Sequence, residues 1–272
     1  MQVEVDGRVA YAYTGGKPFD AALPTIAFVH GAQSDHSVWI LQSRYLAHHG
    51  YGVLAVDLPG HGRSAGPPLE SVEAMAEWIG KLMTAAGVRR ATVVGHSMGS
   101  LIAVELAGSA PDRVAGAVLV GSAYPMRVSD ALLAAARDDE PRAFDMMNVW
   151  SHGGLNHPPG CPGPGFSVFV QARRLMERQA KGVLFNDLRA CNDYGQGEQR
   201  AAAIACPTLF VLGKRDMMTP LKAGKALAAR IGDARVVEVD DCGHQLMAER
   251  PQAVLDAIKR FVASAPSAPS AR

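Results

Sequence analysis

Residues Gly95-His96-Ser97-Met98-Gly99 impose the tightest constraint on what this chain can become. An apolar run, Ala91-Thr92-Val93-Val94, leads into them, and Leu101, Ile102 and Val104 follow at helical spacing. A buried strand that reverses sharply into a helix needs a residue without a side chain on each side of the corner. The serine between those glycines is then pushed out of the sheet, with its Oγ exposed at the positive end of the helix. Gly-x-Ser-x-Gly in strand–turn–helix context is a setting for nucleophilic attack on a carbonyl. A serine that only caps a helix needs no glycine on either side, so the corner reads as chemical.

Strand and helix signals alternate along most of the 272 residues. Val3–Val5 and Val9–Tyr13 flank Asp6-Gly7, a hairpin signal. Thr25–Val29 and Val53–Val56 are short buried strands, with a helix predicted from Trp39 to His48 between them. Val72, Met75, Ala76, Ile79, Leu82 and Met83 make a helical stripe, and Val114–Val120 is another strand. Later come a strand at Thr208–Leu212, a helix over 220–230, a strand at Arg235–Val239 and a last amphipathic helix through Phe261. Such alternation predicts an α/β fold: a mostly parallel, doubly wound sheet of about eight strands with helices on both faces. Residues 124–200 break the pattern with helix-like pieces around a Gly- and Pro-crowded stretch, Gly153 to Gly165. They are expected to form an inserted, mainly helical lid with 151–165 as a mobile rim. The expected division is a core over 1–123 and 201–264, a lid over 124–200 and a disordered Ala-Pro-Ser tail over 265–272.

Composition narrows the partners. With 48% hydrophobic residues the chain can bury a sizeable core. A net charge of +1 with both signs scattered gives no nucleic-acid footprint and no funnel for polyanions, so a small, neutral-to-apolar substrate fits best. Cys161, Cys191, Cys206 and Cys242 show no CxxC spacing and read as free thiols. His152, His157 and Cys161 match no standard zinc pattern, so neither metal nor cofactor is expected. The start, Met1-Gln2-Val3-Glu4-Val5-Asp6, lacks the basic and apolar regions of a secretion signal, and no apolar run is long enough for a bilayer. The expected compartment is the cytoplasm, with no membrane partner.

His30, Asp57, Ser97, Asp216 and His244 all follow predicted strands, at the sheet edge where α/β proteins bind ligands. His30-Gly31 with Trp39, Asp57-x-Pro59-Gly60-His61-Gly62-x-Ser64, the Ser97 corner, Gly213-x-x-Asp216 and Gly243-His244 occur in that order. Together they make the chain resemble the α/β-hydrolase family. The resemblance implies Ser97 as nucleophile and His244 as general base and then acid. Asp216 is implied as the acid that orients His244, with Asp57 as runner-up. It also implies backbone amides of Met98 and Ala32 as the oxyanion hole, with Gln33 the alternative second donor. His96 is expected at the pocket floor, and Phe144, Met147 and Trp150 of the lid as pocket walls. The expected activity is hydrolysis of small-to-medium apolar carboxylic esters through an acyl-enzyme, with lactones and thioesters as alternatives. Carbon–carbon hydrolases of this fold usually carry asparagine before the nucleophile and tryptophan after the histidine, where this chain has His96 and Gln245. Relatives that use an aspartate nucleophile are excluded by Ser97. A non-catalytic receptor would be favoured by a degraded triad, and this one is complete.

Overall fold

The structure is a computed structural model that describes residues 1–153 and 167–264. The predicted rim beyond Gly153, with His157, Cys161 and Phe166, and the predicted tail over 265–272 lie outside the described residues.

Eight strands form one sheet in the order β1-β2-β4-β3-β5-β6-β7-β8. They are β1 (Gln2–Val5), β2 (Arg8–Tyr13), β3 (Thr25–Val29), β4 (Gly52–Val56), β5 (Ala91–His96), β6 (Val114–Val120), β7 (Thr208–Gly213) and β8 (Ala234–Val239). The β1–β2 and β2–β4 pairs are antiparallel and all the others parallel. Asp6 and Gly7 both take positive φ, as the tight β1–β2 hairpin requires.

Strand residues alternate between two cores. Ala27, Val29, Leu54, Val56 and Val93 face one side, and Ile26, Phe28, Val53, Ala55 and Val94 the other. A sheet buried on both faces therefore reads as continuous apolar runs rather than alternation. One face carries α2 (Val72–Ala85) and α3 (Met98–Ser109); the other carries α1 (Ile40–Ala47) and α11 (Pro251–Ser264). The predicted helix from Trp39 to His48 is split. A short 3-10 turn, His36–Trp39, precedes α1 because the Asp35 carboxylate caps Ser37 N at 2.9 Å.

Between β6 and β7 the chain forms α4 (Asp130–Asp138), α5 (Glu140–Ser151), α6 (Val168–Glu177), α7 (Val183–Asp193) and α8 (Gly197–Ala203). Helices α4 to α7 share a separate small core that includes Leu132, Phe144, Met147, Met176 and Leu188. Helix α8 returns to the sheet and packs on α3, where Arg200 pairs with the buried Glu105. After β7 come α9 (Leu221–Ala228) and, beyond β8, the short α10 (Leu246–Glu249). Among the described residues no helix is long and apolar enough to cross a membrane.

Candidate active site

The corner at Ser97 is built by close approach. A Cβ on Gly95 would sit 2.0 Å from Gly99 O, and one on Gly99 would sit 2.4 Å from Val29 O. Both positions therefore admit only glycine, and the chain can pass from β5 into α3 with Ser97 at the apex. Ser97 has φ 53° and ψ −120°, a left-handed conformation that costs a non-glycine residue about 1–3 kcal/mol. The surroundings hold it: Ser97 N donates to Val120 O at 3.0 Å, and Ser100 N and Oγ donate to Ser97 O at 2.8 and 2.6 Å. Its side chain makes no capping bond to α3, so the hydroxyl is not spent on the helix.

His244 follows β8, and Asp216 lies in the turn after β7. His244 Nδ1 donates to Asp216 Oδ2 at 2.8 Å, which leaves Nε2 as the acceptor nitrogen. Asp216 also accepts from Met218 N, Thr219 N and Thr219 Oγ1, at 2.8, 2.8 and 2.6 Å. Burial opposes its ionisation, but the charge and hydrogen bond of His244 and the bonds from Thr219 outweigh that and hold the carboxyl below its ordinary value. Asp57 has other partners. It accepts from His36 N and Nδ1 at 2.7 and 2.8 Å and from Arg63 N at 2.9 Å, and braces the loop after β4.

Ser97 and His244 line one cavity of about 250 Å³, together with Gly31, Ala32, His96 and Thr219. Its apolar wall includes Met147, Trp150, Leu132 and Leu188. Phe144 is not part of that wall. It packs in the α4–α7 core with the Arg173 guanidinium 5.2 Å from its ring, because its position on α5 faces the neighbouring helices. His96 lines the cavity and also donates from Nε2 to His244 O at 2.8 Å, so its ring props the main chain of His244. Burial, helped by His244, lowers the His96 pKa to about 3, and the ring is neutral.

The loop after β3 holds the main-chain amides. His30 Nε2 accepts from Leu58 N at 3.1 Å, so Nδ1 carries the proton and donates to Gly31 O at 2.8 Å. In a trans peptide C=O and N–H point in opposite directions, so this bond fixes the direction of Ala32 N–H. Burial and the neighbouring His61 lower the His30 pKa to about 4, consistent with that neutral tautomer. Ala32 lines the cavity; Gln33 does not, and its amide donates to Asp187 Oδ2 at 2.9 Å. Met98, the first residue of α3, has no carbonyl four residues back within its helix to receive its amide.

Sequence reasoning missed several residues that hold this site. Ser151 O, at the end of α5, accepts from His244 N at 2.7 Å and Gln245 N at 3.1 Å. The buried Glu249 accepts from Gly153 N at 2.9 Å and from Gly243 N at 3.1 Å. Asp187, buried on α7, also accepts from His61 Nε2 at 2.9 Å. The available signal was a charged residue in an apolar helical stripe: Val183, Asp187 and Cys191 share one face. The cluster Asp35, His36 and Asp57 has metal-compatible geometry. Its oxygens are already engaged, Asp35 by Arg178 and Gln179 and Asp57 by His36 and Arg63.

These features describe a hydrolase of the α/β fold, and the comparisons agree. The model of the alpha/beta hydrolase family matches residues 26–257, and the chain belongs to that family. It is similar to a pimeloyl-[acyl-carrier protein] methyl ester esterase of Aromatoleum aromaticum, 29% identical over 84% of this chain and 94% of the relative. It also resembles the dihydrolipoyllysine-residue acetyltransferase component of the acetoin cleaving system of Cupriavidus necator, with 40% identity over 132 residues. That match covers 47% of this chain and only 33% of the longer relative. Among solved structures, an enol-lactonase from Burkholderia xenovorans superposes with a TM-score of 0.85. It is 24% identical, over 97% of this chain and all of that one, and supports the fold alone.

Proposed function

We propose that the protein hydrolyses carboxylic esters of small-to-medium apolar substrates through an acyl-enzyme on Ser97. One observation carries this reading: an uncapped serine at positive φ shares a cavity with a histidine whose other nitrogen is bound to a buried carboxylate. His244 Nε2 takes the hydroxyl proton as Ser97 Oγ adds to the ester carbonyl. The carbonyl π electrons move onto oxygen, which the amides of Ala32 and Met98 stabilise. Collapse breaks the bond to the alkoxy oxygen, and His244 gives the proton to the departing alcohol. Water then enters by the same steps, and the acid leaves Ser97 free.

The size of the cavity, about 250 Å³, and its Met, Leu and Trp wall favour compact apolar acyl groups. Arg127, the permanently charged residue among the described lining residues, sits at the exposed rim, where it donates to Asn192 O. Residues 124–200 are proposed as the lid over a core of 1–123 and 201–264, with α8 at that boundary. The likeness to a methyl ester esterase supports ester chemistry. Lactones and thioesters are open to the same groups.

A fluorophosphonate probe tests the mechanism and a substrate panel tests the class. The probe is expected to label the wild type and not Ser97→Ala. Among p-nitrophenyl esters, lactones and acyl-thioesters, short uncharged esters are expected to give the highest kcat/KM. An unlabelled wild type would overturn the mechanism, and a panel led by lactones or thioesters would overturn the ester assignment.

A further inference from the structure

We propose that Asp187 is a positioning residue: its buried carboxylate, delivered by α7, holds the main chain after β3 in the orientation that oxyanion binding requires. The proposal rests on the esterase reading above.

Asp187 is fully buried. Its Oδ2 accepts from Gln33 N and from His61 Nε2, both at 2.9 Å, while Oδ1 has no partner among the described residues. For stability alone, an apolar residue of similar size would complete the α7 stripe without a buried charge. What the carboxylate adds is direction. Gln33 sits at φ 53°, where a side chain is strained, and two bonds keep it there. One is its amide to Asp187, and the other is its Nε2 to Met176 O at 3.0 Å. Both acceptors belong to the segment between β6 and β7.

The consequence falls on Ala32. Its own N–H lies in the peptide that His30 holds through Gly31 O. The next peptide carries Gln33 N–H and is held by Asp187. The two planes meet at the Ala32 Cα, so clamping both fixes φ and ψ there. Without Asp187, Gln33 can relax out of the left-handed region, and the His30 bond alone is left to hold the adjoining peptide, whose amide is proposed to bind the oxyanion. His61 completes the clamp: its Nδ1 lies 3.0 Å from Pro59 O, so both ring nitrogens face acceptors and the ring carries the charge that balances Asp187. His30 and Asp57 are the other titratable groups acting on that ring.

An oxyanion donor acts mainly in the transition state, so the effect should fall on kcat rather than KM. The test compares Asp187→Asn and Asp187→Ala with Arg178→Ala, which cuts a different bridge from the lid helices, Arg178 to Asp35. Readouts are kcat and KM for a p-nitrophenyl ester, Ki for an alkyl boronic acid that forms a tetrahedral adduct, and the thermal midpoint. Asp187→Ala is expected to lower kcat about 10²-fold, near the loss of one oxyanion donor, and Asp187→Asn about 10-fold. KM should change less than about threefold, with boronate Ki weakening in step with kcat/KM. If alanine does not fold, the isosteric Asp187→Asn carries the comparison. Equal kcat losses in Arg178→Ala and the Asp187 variants, or an unchanged boronate Ki, would overturn the proposal. A wild type that neither turns over esters nor labels with fluorophosphonate would instead sink the esterase reading.

Discussion

Ser97 is held at φ 53° by bonds to its backbone, and none of them uses its hydroxyl. Removing one oxygen should therefore leave the corner intact and remove the proposed nucleophile. Ser97→Ala is expected to fold with a wild-type thermal midpoint and to keep only the residual acceleration of binding and oxyanion stabilisation, about 10³–10⁴-fold over water. Stopped assays with active-site titration would check this, and near wild-type kcat would refute the nucleophile. The two candidate acids separate as cleanly. Asp216 touches His244, and Asp57 does not. Asp216→Asn can put an amide donor where His244 Nδ1 now faces a carboxylate acceptor, and is expected to lower kcat by about 10⁴-fold. Asp57→Asn should act through stability, with a much smaller loss of kcat in the folded fraction. A reversed order would move the orienting role to Asp57. All three proposed triad residues were legible in sequence because each sits in a short local motif after a strand. Asp187 was not, because its partners His61 and Gln33 lie 126 and 154 positions away and no local pattern encodes them.

Among elements, α5 has two tasks that sequence could only half read. Its apolar side gives Met147 and Trp150 to the cavity. Phe144, on the same helix, turns to the neighbouring helices instead, a choice set by the packing of α4 to α7 and invisible in composition. The end of α5 holds the His244 loop through Ser151 O, and Glu249 clasps Gly153 to Gly243. The glycines permit this contact: a Cβ on Gly243 would lie 2.4 Å from Gly153 N. Glu249→Ala leaves both amides without a carboxylate acceptor, and each buried orphan donor costs about 1–3 kcal/mol. The expected result is a thermal midpoint lower by several degrees and a reduced kcat as His244 loses its support. Midpoint and kcat from the same preparation check both; an unchanged midpoint would mean water replaces the carboxylate. Trp150→Ala is expected to shift the preferred acyl length of p-nitrophenyl esters, chiefly through KM. An unchanged profile would place that ring outside the acyl subsite. Strands β3 to β7 were the most legible elements, since burial on both faces demands continuous apolar runs. The helix after β3 was read as one piece, because the Asp35 cap that splits it acts through geometry rather than hydrophobic spacing.

At the scale of the whole molecule, the sheet and the helices between β6 and β7 are joined by a buried ion pair, His61 to Asp187, that titrates. Burial lowers the pKa of His61, but the charge and hydrogen bond of Asp187 outweigh it, and the folded-state value is raised. A raised histidine stabilises the fold fully below its unfolded pKa of about 6.5, and that contribution is lost as pH rises through the raised folded value. The opposite sign holds for Asp216, whose depressed pKa contributes above the ordinary carboxylate value and is lost as pH falls through the folded one. Catalysis sets a further condition, because His244 must be neutral to accept the proton of Ser97. The proposed mechanism thus needs one buried histidine charged and another uncharged at the same pH. Raising pH through the raised value of His61 discharges the pair and loosens the helices that shape the pocket. Calorimetry across pH is expected to show the midpoint of the wild type, relative to His61→Gln, largest below about pH 6.5 and shrinking as pH rises through the raised His61 value. Turnover should fall as pH rises through the raised His61 value and the pair discharges. In His61→Gln that fall should be missing, because no pair remains to discharge. A midpoint difference independent of pH would mean that His61 is neutral in the fold and that packing alone holds the two parts together.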